Sequence, residues 1–490
     1  MSVKLIYQDV APGAAQDAAV TAAGEHSYSN PSLLPFGVKY KSKYIAVEHN
    51  FWTLNGSGIL LNHSDNTDDI AFWSNDLSDI NGDFSVFPTL TIDFDERYTS
   101  LGISFEFLGD AWCNDLEIAW YRGGVEIESG RFYPDGMNYF CEASVEAYDR
   151  VVITIRRTSL PYRRARIDRI LFGVSRTFLR DELRAGGAKV VQEIDPSGQQ
   201  LAANALDFTL SSKSAVEYVF QFKQPVYAYD DDNLIGVFYI DDSERLSERM
   251  YDVSCTDAIG VLDLEPFPDA VYTNENAFTL AQAICSGFTV EMQDDLKTET
   301  VSGVIVGQTR RGALQQLCFR LGAIADTSGT SSIRIFTLDT APLIEVDAER
   351  IRTGGKIAIN PIVTEVRLMA HSYSLSGSSN EIEINGVKYY DTQTVVSILN
   401  PEATASDKAN VINVTDATLI SPDVVNTIAQ KLFDYHAQRN VHKFKFHLYG
   451  ELPGAYLHTV APWTDITGHY VRGSITLSGF ALSDAEVIGT

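Results

Sequence analysis

Aromatic residues close to short polar residues are the first candidates for chemistry in this sequence. Aromatic rings stack on the apolar faces of sugars, while amide and guanidinium groups hydrogen-bond the sugar hydroxyls. Five residues of one region offer both kinds of group, and we predict that they form a carbohydrate-binding site: Trp112, Asn114, Tyr121, Arg122 and Tyr133. Trp112 is the strongest candidate because it follows a turn at Gly109-Asp110. Trp73 and Trp120 have strand neighbours that alternate with polar residues, so both are predicted to lie in a core.

A second candidate site is a cluster of six arginines within a short stretch of sequence: Arg156, Arg157, Arg163, Arg164, Arg166 and Arg169. A guanidinium pairs with a carboxylate or phosphate through two parallel hydrogen bonds, so these residues could bind an acidic surface glycan. The chain, however, has 65 Asp and Glu residues against 38 Lys and Arg residues. We therefore favour the interpretation in which these arginines pair with neighbouring carboxylates.

Metal and redox sites are poorly supported. Asp65, Asp68 and Asp69 could offer oxygen ligands to Ca²⁺, but this run lacks the alternating spacing of a calcium loop, as does Asp230-Asp231-Asp232. His442 and His447 are five residues apart on a predicted strand, so their rings should point to opposite faces. Five cysteines occur without a C-x-x-C pair and are predicted to be buried free thiols: Cys113, Cys141, Cys255, Cys285 and Cys318. We predict no metal and no cofactor.

No enzyme motif is found. The sequence lacks G-x-S-x-G, H-E-x-x-H, a phosphate-binding glycine loop and a dinucleotide fingerprint. Carboxylates are so plentiful that a glycosidase pair could be present among them, yet nothing in the sequence requires catalysis. The prediction is a protein that is not an enzyme.

Length and charge set further limits. A chain of 490 residues exceeds one core, so two to four domains are expected. A net charge of −27 argues against general affinity for nucleic acid, which needs clustered Lys and Arg. The apolar runs are too short to span a bilayer, and no signal peptide is indicated, so we expect synthesis in a bacterial cytoplasm and no stable membrane insertion.

The first third of the chain has the pattern of short β-strands. Val3–Tyr7 is a predicted lone strand and Ala11–Gly24 a linker, so residues 1–29 precede the first domain. From there to residue 175, short β segments alternate with turn pairs such as Asn81-Gly82 and Gly123-Gly124. These segments predict a β-sandwich.

Several of these segments resemble successive strands of a galactose-binding-like, or discoidin-like, jelly roll. The segments that carry the resemblance are Phe72–Asp79, Pro88–Phe94, Leu101–Phe105, Ile118–Tyr121, Tyr148–Ile153 and Arg164–Gly173. The resemblance implies a sandwich over residues 30–175 whose end loops often bind glycans.

Leu206–Asp263 has the pattern of an antiparallel meander. Val216–Phe222 alternates apolar and polar residues, and Val237–Ile240 and Tyr251–Cys255 continue the strand pattern. Asp257–Asp263 is predicted to be a short turn out of the sheet. No residue of this segment is predicted to do chemistry.

The remaining chain mixes helices and strands. Ala277, Leu280, Ala281, Ile284 and Cys285 share one face of a helix with Asn274 or Asn276 as its cap and Gly287 as its stop. Thr309–Leu321 is a second helix, capped by Thr309 and ended by Gly322. The strand Ile333–Phe336 completes a small α+β domain over residues 269–345.

A third helix is predicted from Ser421 as N-cap and Pro422 as first helical residue. Further strands are expected at Val363–Met369, Ser374–Leu375, Glu381–Ile384 and Thr394–Leu399. The helix is expected to pack on a sheet that contains Phe444–Leu448, Ser474–Leu477 and a closing strand through Val487.

Two stretches together resemble the hub, or tail-tip, protein of bacteriophage tails and related contractile injection systems. One is the Leu206–Asp263 meander, and the other runs from Asn426–Tyr435 through Phe444–Phe446 and Leu452-Pro453-Gly454 to Gly473–Thr476. The segment Thr309–Leu317 resembles the small domain that such hubs place between their two barrels. The resemblance implies two tube-like β-barrels, at residues 176–268 and 346–490, in a homotrimer that matches a hexameric tail tube.

The sequence thus predicts a mainly β, multidomain chain: a jelly-roll β-sandwich, then two tube-like barrels with the small α+β domain between them. The predicted function is a baseplate hub ring of a virion tail tip that connects the tail tube to the distal tip. Its predicted partners are tail-tube and distal tail proteins, tip or fibre proteins and a host surface glycan, while DNA passes without specific binding. The alternative is a carbohydrate-binding host-adhesion protein that acts through the jelly roll.

Overall fold

The computed structural model describes residues 3–11, 13–27, 29–37, 70–109, 111–211, 220–231, 233–378, 380–447, 452–460, 465–477 and 482–490. The fold is mainly β and contains several separate sheets. The chain divides into two compact units, an amino-terminal unit of Tyr7–Arg176 and a larger unit of Met1–Ile6 with Thr177–Thr490. No helix in the described part of the chain is both long and apolar enough to cross a bilayer.

Two strands, β1 (Val3–Val10) and β9 (Gly173–Leu179), contain the points at which the chain passes between the units. The strands and helix of the amino-terminal unit are α1 Ala14–Asp17, β2 Ala19–Ala23, β3 Phe72–Trp73, β4 Thr89–Phe107, β5 Cys113–Arg122, β6 Val125–Phe132, β7 Asn138–Thr158 and β8 Arg166–Leu171. They form one antiparallel sheet of order β3-β8-β4-β7-β5-β6, and β2 pairs with β4. The jelly roll remains a prediction, and residues 38–69 with the Asp65, Asp68 and Asp69 candidate lie outside the described residues.

The predicted linker at residues 11–24 is wrong. The Asp17 carboxylate accepts hydrogen bonds from the backbone N–H groups of Asp95 (3.2 Å) and Glu96 (3.0 Å), and β2 pairs with β4 along its whole length. The predicted lone strand β1 is also not isolated, since the Lys4 ammonium lies 4.8 Å from the Tyr229 ring centroid. Alternation of small residues was too weak a sequence signal to show this pairing.

The core of the amino-terminal unit follows the alternation of its long strands. Leu90 and Ile92 of β4 and Ile153 and Ile155 of β7 are fully buried. Trp73 and Trp120 are buried as predicted. Register shifts between Asp93 and Gly102 interrupt the pairing of β4 with β7, as bulges do in long bent strands.

The larger unit contains the strands β10 Leu183–Glu193, β11 Ala205–Ser211, β12 Pro225–Asp230, β13 Asn233–Ser247, β14 Met250–Asp257, β15 Ala270–Asn276, β16 Val290–Met292, β17 Thr300–Ile305, β18 Ile324–Asp326, β19 Ile333–Phe336, β20 Leu343–Val346, β21 Ile351–Ile359, β22 Glu365–Ser374, β23 Glu381–Ile384, β24 Val387–Leu399, β25 Val411–Val414, β26 Asn440–His447, β27 Tyr456–Val460, β28 Asp465–Thr476 and β29 Leu482–Gly489. Its helices are α2 Ala258–Leu262, α3 Ala277–Ile284, α4 Arg310–Leu321 and α5 Val425–Ala437.

One long sheet joins the two segments that were predicted as barrels. Its order runs β21-β26-β29-β28-β10-β11-β14-β13-β12. The joint is the antiparallel pair β10–β28, in which Lys189 lies opposite Thr476 and Glu193 opposite Arg472. We call this the long sheet, its β11–β14 part the first half and its β21, β26, β28 and β29 part the second half.

The predicted strands at Val237–Ile240 and Tyr251–Cys255 are confirmed as parts of β13 and β14, which form an antiparallel meander with β12. The strand β11 pairs with β14 rather than with β12, and three local details differ. Residues 216–219 of the predicted strand Val216–Phe222 lie outside the described residues, and Phe220–Phe222 is not a strand. The strand predicted at Val237–Ile240 is longer than expected, because β13 continues through polar residues up to Ser247. The predicted exit turn is the helix α2, which begins because the Asp257 carboxylate accepts from the Gly260 N–H.

The small α+β region confirms its predicted helices. Asn276 caps α3 by accepting from the Thr279 N–H, and Thr309 caps α4 by accepting from the Gly312 N–H. Gly322 ends α4 with φ of 59°, which a residue without a Cβ adopts at little cost. Two small sheets, β15-β17 and β16-β19-β18, complete the region.

The sheet partner of α5 differs from the prediction. Strands β22–β25 form a separate four-stranded sheet of order β23-β24-β22-β25 rather than part of a second barrel. Ile428, Ala429 and Leu432 of α5 share a core cluster with Val366 and Leu368 of that sheet, so α5 does not pack on the sheet of Phe444–Phe446. The helix begins at Val425, because Ser421 and Pro422 form the turn before it and the Ser421 carbonyl accepts from the Val425 N–H.

Candidate functional site: the polar face of the long sheet

The long sheet has one buried and one exposed face. In β26, Phe444 and Phe446 are buried while Lys443 and Lys445 are exposed, which is the period of two that a strand with one covered face requires. The exposed side chains of β10, β11, β14, β26, β28 and β29 lie on the same face, because cross-strand partners share a face. We call it the polar face.

Ion pairs cross the strands of the second half. The Lys443 ammonium lies 2.9 Å from Glu486 Oε1, and the Lys445 ammonium lies 3.1 Å from Asp484 Oδ1. At the joint, Arg472 Nε lies 3.4 Å from Glu193 Oε2. These contacts are solvent-exposed, so each stabilises the sheet by less than about 1 kcal/mol. Their main effect is to fix which strands lie side by side.

The polar face is divided by charge. The second half and β10 carry five cations around an open concavity of about 690 Å³: Lys189, Lys356, Lys443, Lys445 and Arg472. The first half carries exposed Asp207, Asp252 and Glu244, of which Glu244 and Asp252 are cross-strand partners. Lys189 lies directly opposite Asp207, so the change of sign falls between β10 and β11. Sequence reasoning missed this division, because it needs the strand register.

A buried polar network ties the first half to the small α+β region. Asp257 Oδ2 accepts from the Asn204 N–H (2.9 Å) and from Thr327 Oγ1 (2.6 Å), while Oδ1 accepts from the Gly260 N–H (2.9 Å). The Asn204 side-chain amide donates to Thr327 Oγ1 (3.0 Å). Burial raises the pKa of Asp257 to about 6, against the lowering effect of its hydrogen-bond donors.

Asp326 extends the network, because its Oδ1 accepts from the Asn204 side-chain amide (3.4 Å) and its Oδ2 lies 2.8 Å from the Arg334 guanidinium. No chemistry is predicted from sequence for the meander, yet Asp257 is 1% exposed and holds three hydrogen bonds. An Asp directly before an apolar run is the signal that could have identified this cap.

The predicted carbohydrate-binding residues fall into two groups. Asn114 is the second residue of β5, and Tyr121 and Arg122 end that strand, so Asn114 and Tyr121 are about 23 Å apart at the rise of a strand. Trp112 and Tyr133 lie at the Asn114 end, where the Trp112 indole N–H donates to the Pro134 carbonyl at 2.9 Å. The structure therefore does not bring the five residues together.

The two groups of predicted carbohydrate-binding residues also differ in whether their side chains are bonded within the protein or open to solvent. Arg122 donates to the backbone carbonyls of Ala147 (2.8 Å) and Glu146, and the Tyr121 hydroxyl lies 3.5 Å from Glu126 Oε2. Tyr133 is 61% exposed, and the Arg131 guanidinium lies 5.6 Å from its ring centroid. Tyr133 is thus the member of the set whose ring is most open to a ligand.

Arginines of the six-arginine cluster contact carboxylates, a backbone carbonyl and an aromatic ring of the protein. Arg156 bonds the Glu117 carboxylate, Arg157 lies 3.8 Å from Asp83 and Arg169 lies 4.0 Å from Glu106. Arg164 donates to the Ser74 carbonyl at 2.8 Å, and the Arg166 guanidinium lies 4.7 Å from the Trp73 ring. The interpretation that carboxylates pair with these arginines is confirmed for Arg156, Arg157 and Arg169.

Among the described residues, no group of three or more His, Cys, Asp or Glu side chains could hold a metal ion. The five cysteines are free and buried, as predicted. His442 is buried with Nδ1 2.8 Å from Thr459 Oγ1, which is a structural contact within the second half.

No protein-family model and no curated protein matches the sequence. Among solved structures, a tail protein from Neisseria meningitidis MC58 is similar at 12% identity and a TM-score of 0.46, over 62% of this chain and 92% of that chain. The 43 kDa tail protein of prophage MuSo2 from Shewanella oneidensis is similar at 11% identity and a TM-score of 0.46, over 64% and 96%. The prophage tail protein gp18 from Listeria monocytogenes EGD-e is similar at 9% identity and a TM-score of 0.44, over 64% and 91%.

Proposed function

We propose that this chain is a structural, non-enzymatic subunit of a phage or phage-derived tail tip, a hub ring that connects the tail tube to the distal tip. The observation that carries the proposal is the β10–β28 pair, which joins two antiparallel half-sheets into one wall with a single exposed polar face. A wall of this kind, repeated around an axis, encloses a water-filled channel.

Two further features favour a repeated assembly. The edge strand β21 pairs only with β26 in the described part of the chain, which leaves backbone groups for another chain. Each chain supplies two half-sheets, so three copies would supply six and match a sixfold tube. The proposed partners are the tail tube, distal tail proteins and tip or fibre proteins in a virion tail.

Light scattering after size-exclusion chromatography tests the ring, with negative-stain imaging of the same fractions. We expect a particle of three 54.1 kDa chains with a central channel. Ile359 is exposed on the edge strand β21, so Ile359→Asp should shift the mass toward one chain. Leu375→Asp, at an equally exposed position beyond the four-stranded sheet, is the matched control and should leave the mass unchanged.

A wild-type chain that stays at the mass of one copy at high concentration, both alone and with its tail-tube protein, would exclude the ring. Equal loss of mass in both variants would show that the edge strand is not the contact.

We propose carbohydrate binding through the amino-terminal unit as the second candidate. The observation that favours it is the exposed Tyr133 ring beside Arg131, at the end of the sheet that also holds Trp112. Glycan-array binding by the full chain should be lost in Tyr133→Ala and kept in Val125→Ala, which alters an exposed residue on β6. An array without signal for the wild-type chain would remove this candidate.

A further inference from the structure

The concavity on the polar face is basic in a strongly acidic chain. Five cations line it, against the two carboxylates Asp484 and Glu486, while the whole chain has a net charge of −27. At physiological salt, charges interact over about 8 Å, so a local cluster rather than the net charge decides what binds there. We call this concavity the basic trough.

Three of its cations, Lys443, Lys445 and Arg472, pair with carboxylates. The other two differ, although Lys189 faces Asp207 across the β10–β11 pair. Lys189 and Lys356 are exposed, and neither forms an ion pair with a described residue. Lys356 lies directly opposite Lys443 in the β21–β26 register. Like charges on facing positions destabilise a strand pair, and an anion bound between them would offset that repulsion by attracting both.

The lining favours a nucleic-acid backbone over a protein partner. Protein interfaces have an apolar centre, but the apolar residues of the trough, Phe444 and Ala485, are buried in the opposite face. Four of the five cations are lysines, which bind phosphates as point charges without fixed geometry. None of the described residues that line the trough offers an exposed aromatic ring to stack on unpaired bases, which favours duplex over single-stranded DNA.

We propose that the basic trough binds the phosphate backbone of duplex DNA without reading its sequence. The lining cations come from β21, β26, β28 and β10, which with β29 span about 19 Å at the usual strand spacing. That width allows contact with several phosphates of one duplex. The carboxylates of Asp484 and Glu486 keep the contact weak, as suits a duplex that must slide.

The binding itself does not depend on the ring, whereas its use in guiding DNA through a channel rests on the proposed function. The expectation that acidity keeps DNA away therefore applies to the chain as a whole and not to this part of the polar face.

Fluorescence anisotropy of the full chain with a fluorescein-labelled duplex of about 20 base pairs tests the proposal. Between about 25 and 200 mM NaCl, the logarithm of the affinity should fall with a slope of about −2 to −3 against the logarithm of salt. Lys189→Glu with Lys356→Glu should weaken binding at least about tenfold at low salt. Lys408→Glu with Lys431→Glu, which makes the same charge change at exposed positions outside the trough, should weaken it less than about threefold.

Three results would overturn the proposal. They are the absence of DNA binding at the lowest salt, equal weakening by the two double variants, and binding of polyglutamate as tightly as DNA, which would indicate an acidic polypeptide instead. Light scattering on the same samples measures whether the chain forms the proposed ring. A chain that binds DNA but stays a monomer would contradict the proposed hub and leave the DNA-binding proposal in place.

Discussion

Asp257 is a single side chain with three structural tasks. It caps α2, holds Asn204 and Thr327, and contacts no bulk water. Because burial raises its pKa to about 6 from 3.8, the folded protein binds this proton more tightly than the unfolded chain does. Its contribution to stability is fully present below about pH 4 and is lost as the pH rises through about 6.

We expect Asp257→Asn to remove this pH dependence. Relative to the variant, the wild-type free energy of unfolding should fall by about 2 to 3 kcal/mol between pH 4 and 7, from the size of the shift. Urea unfolding at several pH values measures the difference. Asp252→Asn, an exposed carboxylate on the same strand, is the control, and a wild-type curve parallel to that of Asp257→Asn would contradict the prediction.

At the scale of elements, the position of α5 decides how the last part of the chain is organised. The helix places Ile428 and Leu432 against the four-stranded sheet, and Lys431 Nζ lies 3.5 Å from the Gly322 carbonyl at the end of α4. The chain between β21 and β26 thus forms a separate layer instead of a barrel wall. This arrangement leaves β26 free to pair with β21 and β29.

Leu432→Ala should lower the free energy of unfolding by about 2 to 4 kcal/mol, because the side chain is 1% exposed and its loss leaves a cavity. Asn426→Ala, on the exposed side of the same helix, should change it by less than about 0.5 kcal/mol. A double-mutant cycle by urea unfolding should show coupling between Leu432 and Leu368. Coupling to Phe446 instead would place the helix on the long sheet.

At the scale of the whole molecule, the amino-terminal unit has a core of its own. Its cluster includes Trp120, Ile118 and Ile153, and all of its buried members lie within Tyr7–Arg176. Two units with separate cores need not unfold in one cooperative step.

Trp120→Ala should therefore lower the midpoint of one calorimetric transition and leave the other in place. Loss of a fully buried aromatic side chain costs about 3 to 5 kcal/mol. Differential scanning calorimetry of the full chain measures both midpoints, and Leu432→Ala should move the other transition. A single transition that both variants shift equally would show that the units unfold together.

Sequence alone predicted the features that depend on neighbouring residues. The caps at Asn276 and Thr309 and the stop at Gly322 follow from hydrogen bonds across three or four residues and from backbone freedom at one position. The buried state of Trp73 and Trp120 follows from alternation within a strand.

Tertiary structure decided the features that depend on pairing between distant segments. Which sheet receives α5, the burial of Asp257 against Thr327, the separation of Asn114 from Arg122 and the charge division of the polar face all require the register of strands far apart in sequence. An apolar face on a helix or strand predicts that this face is buried, but many surfaces of the protein could bury it. Only the sum of packing over the whole chain selects one of them.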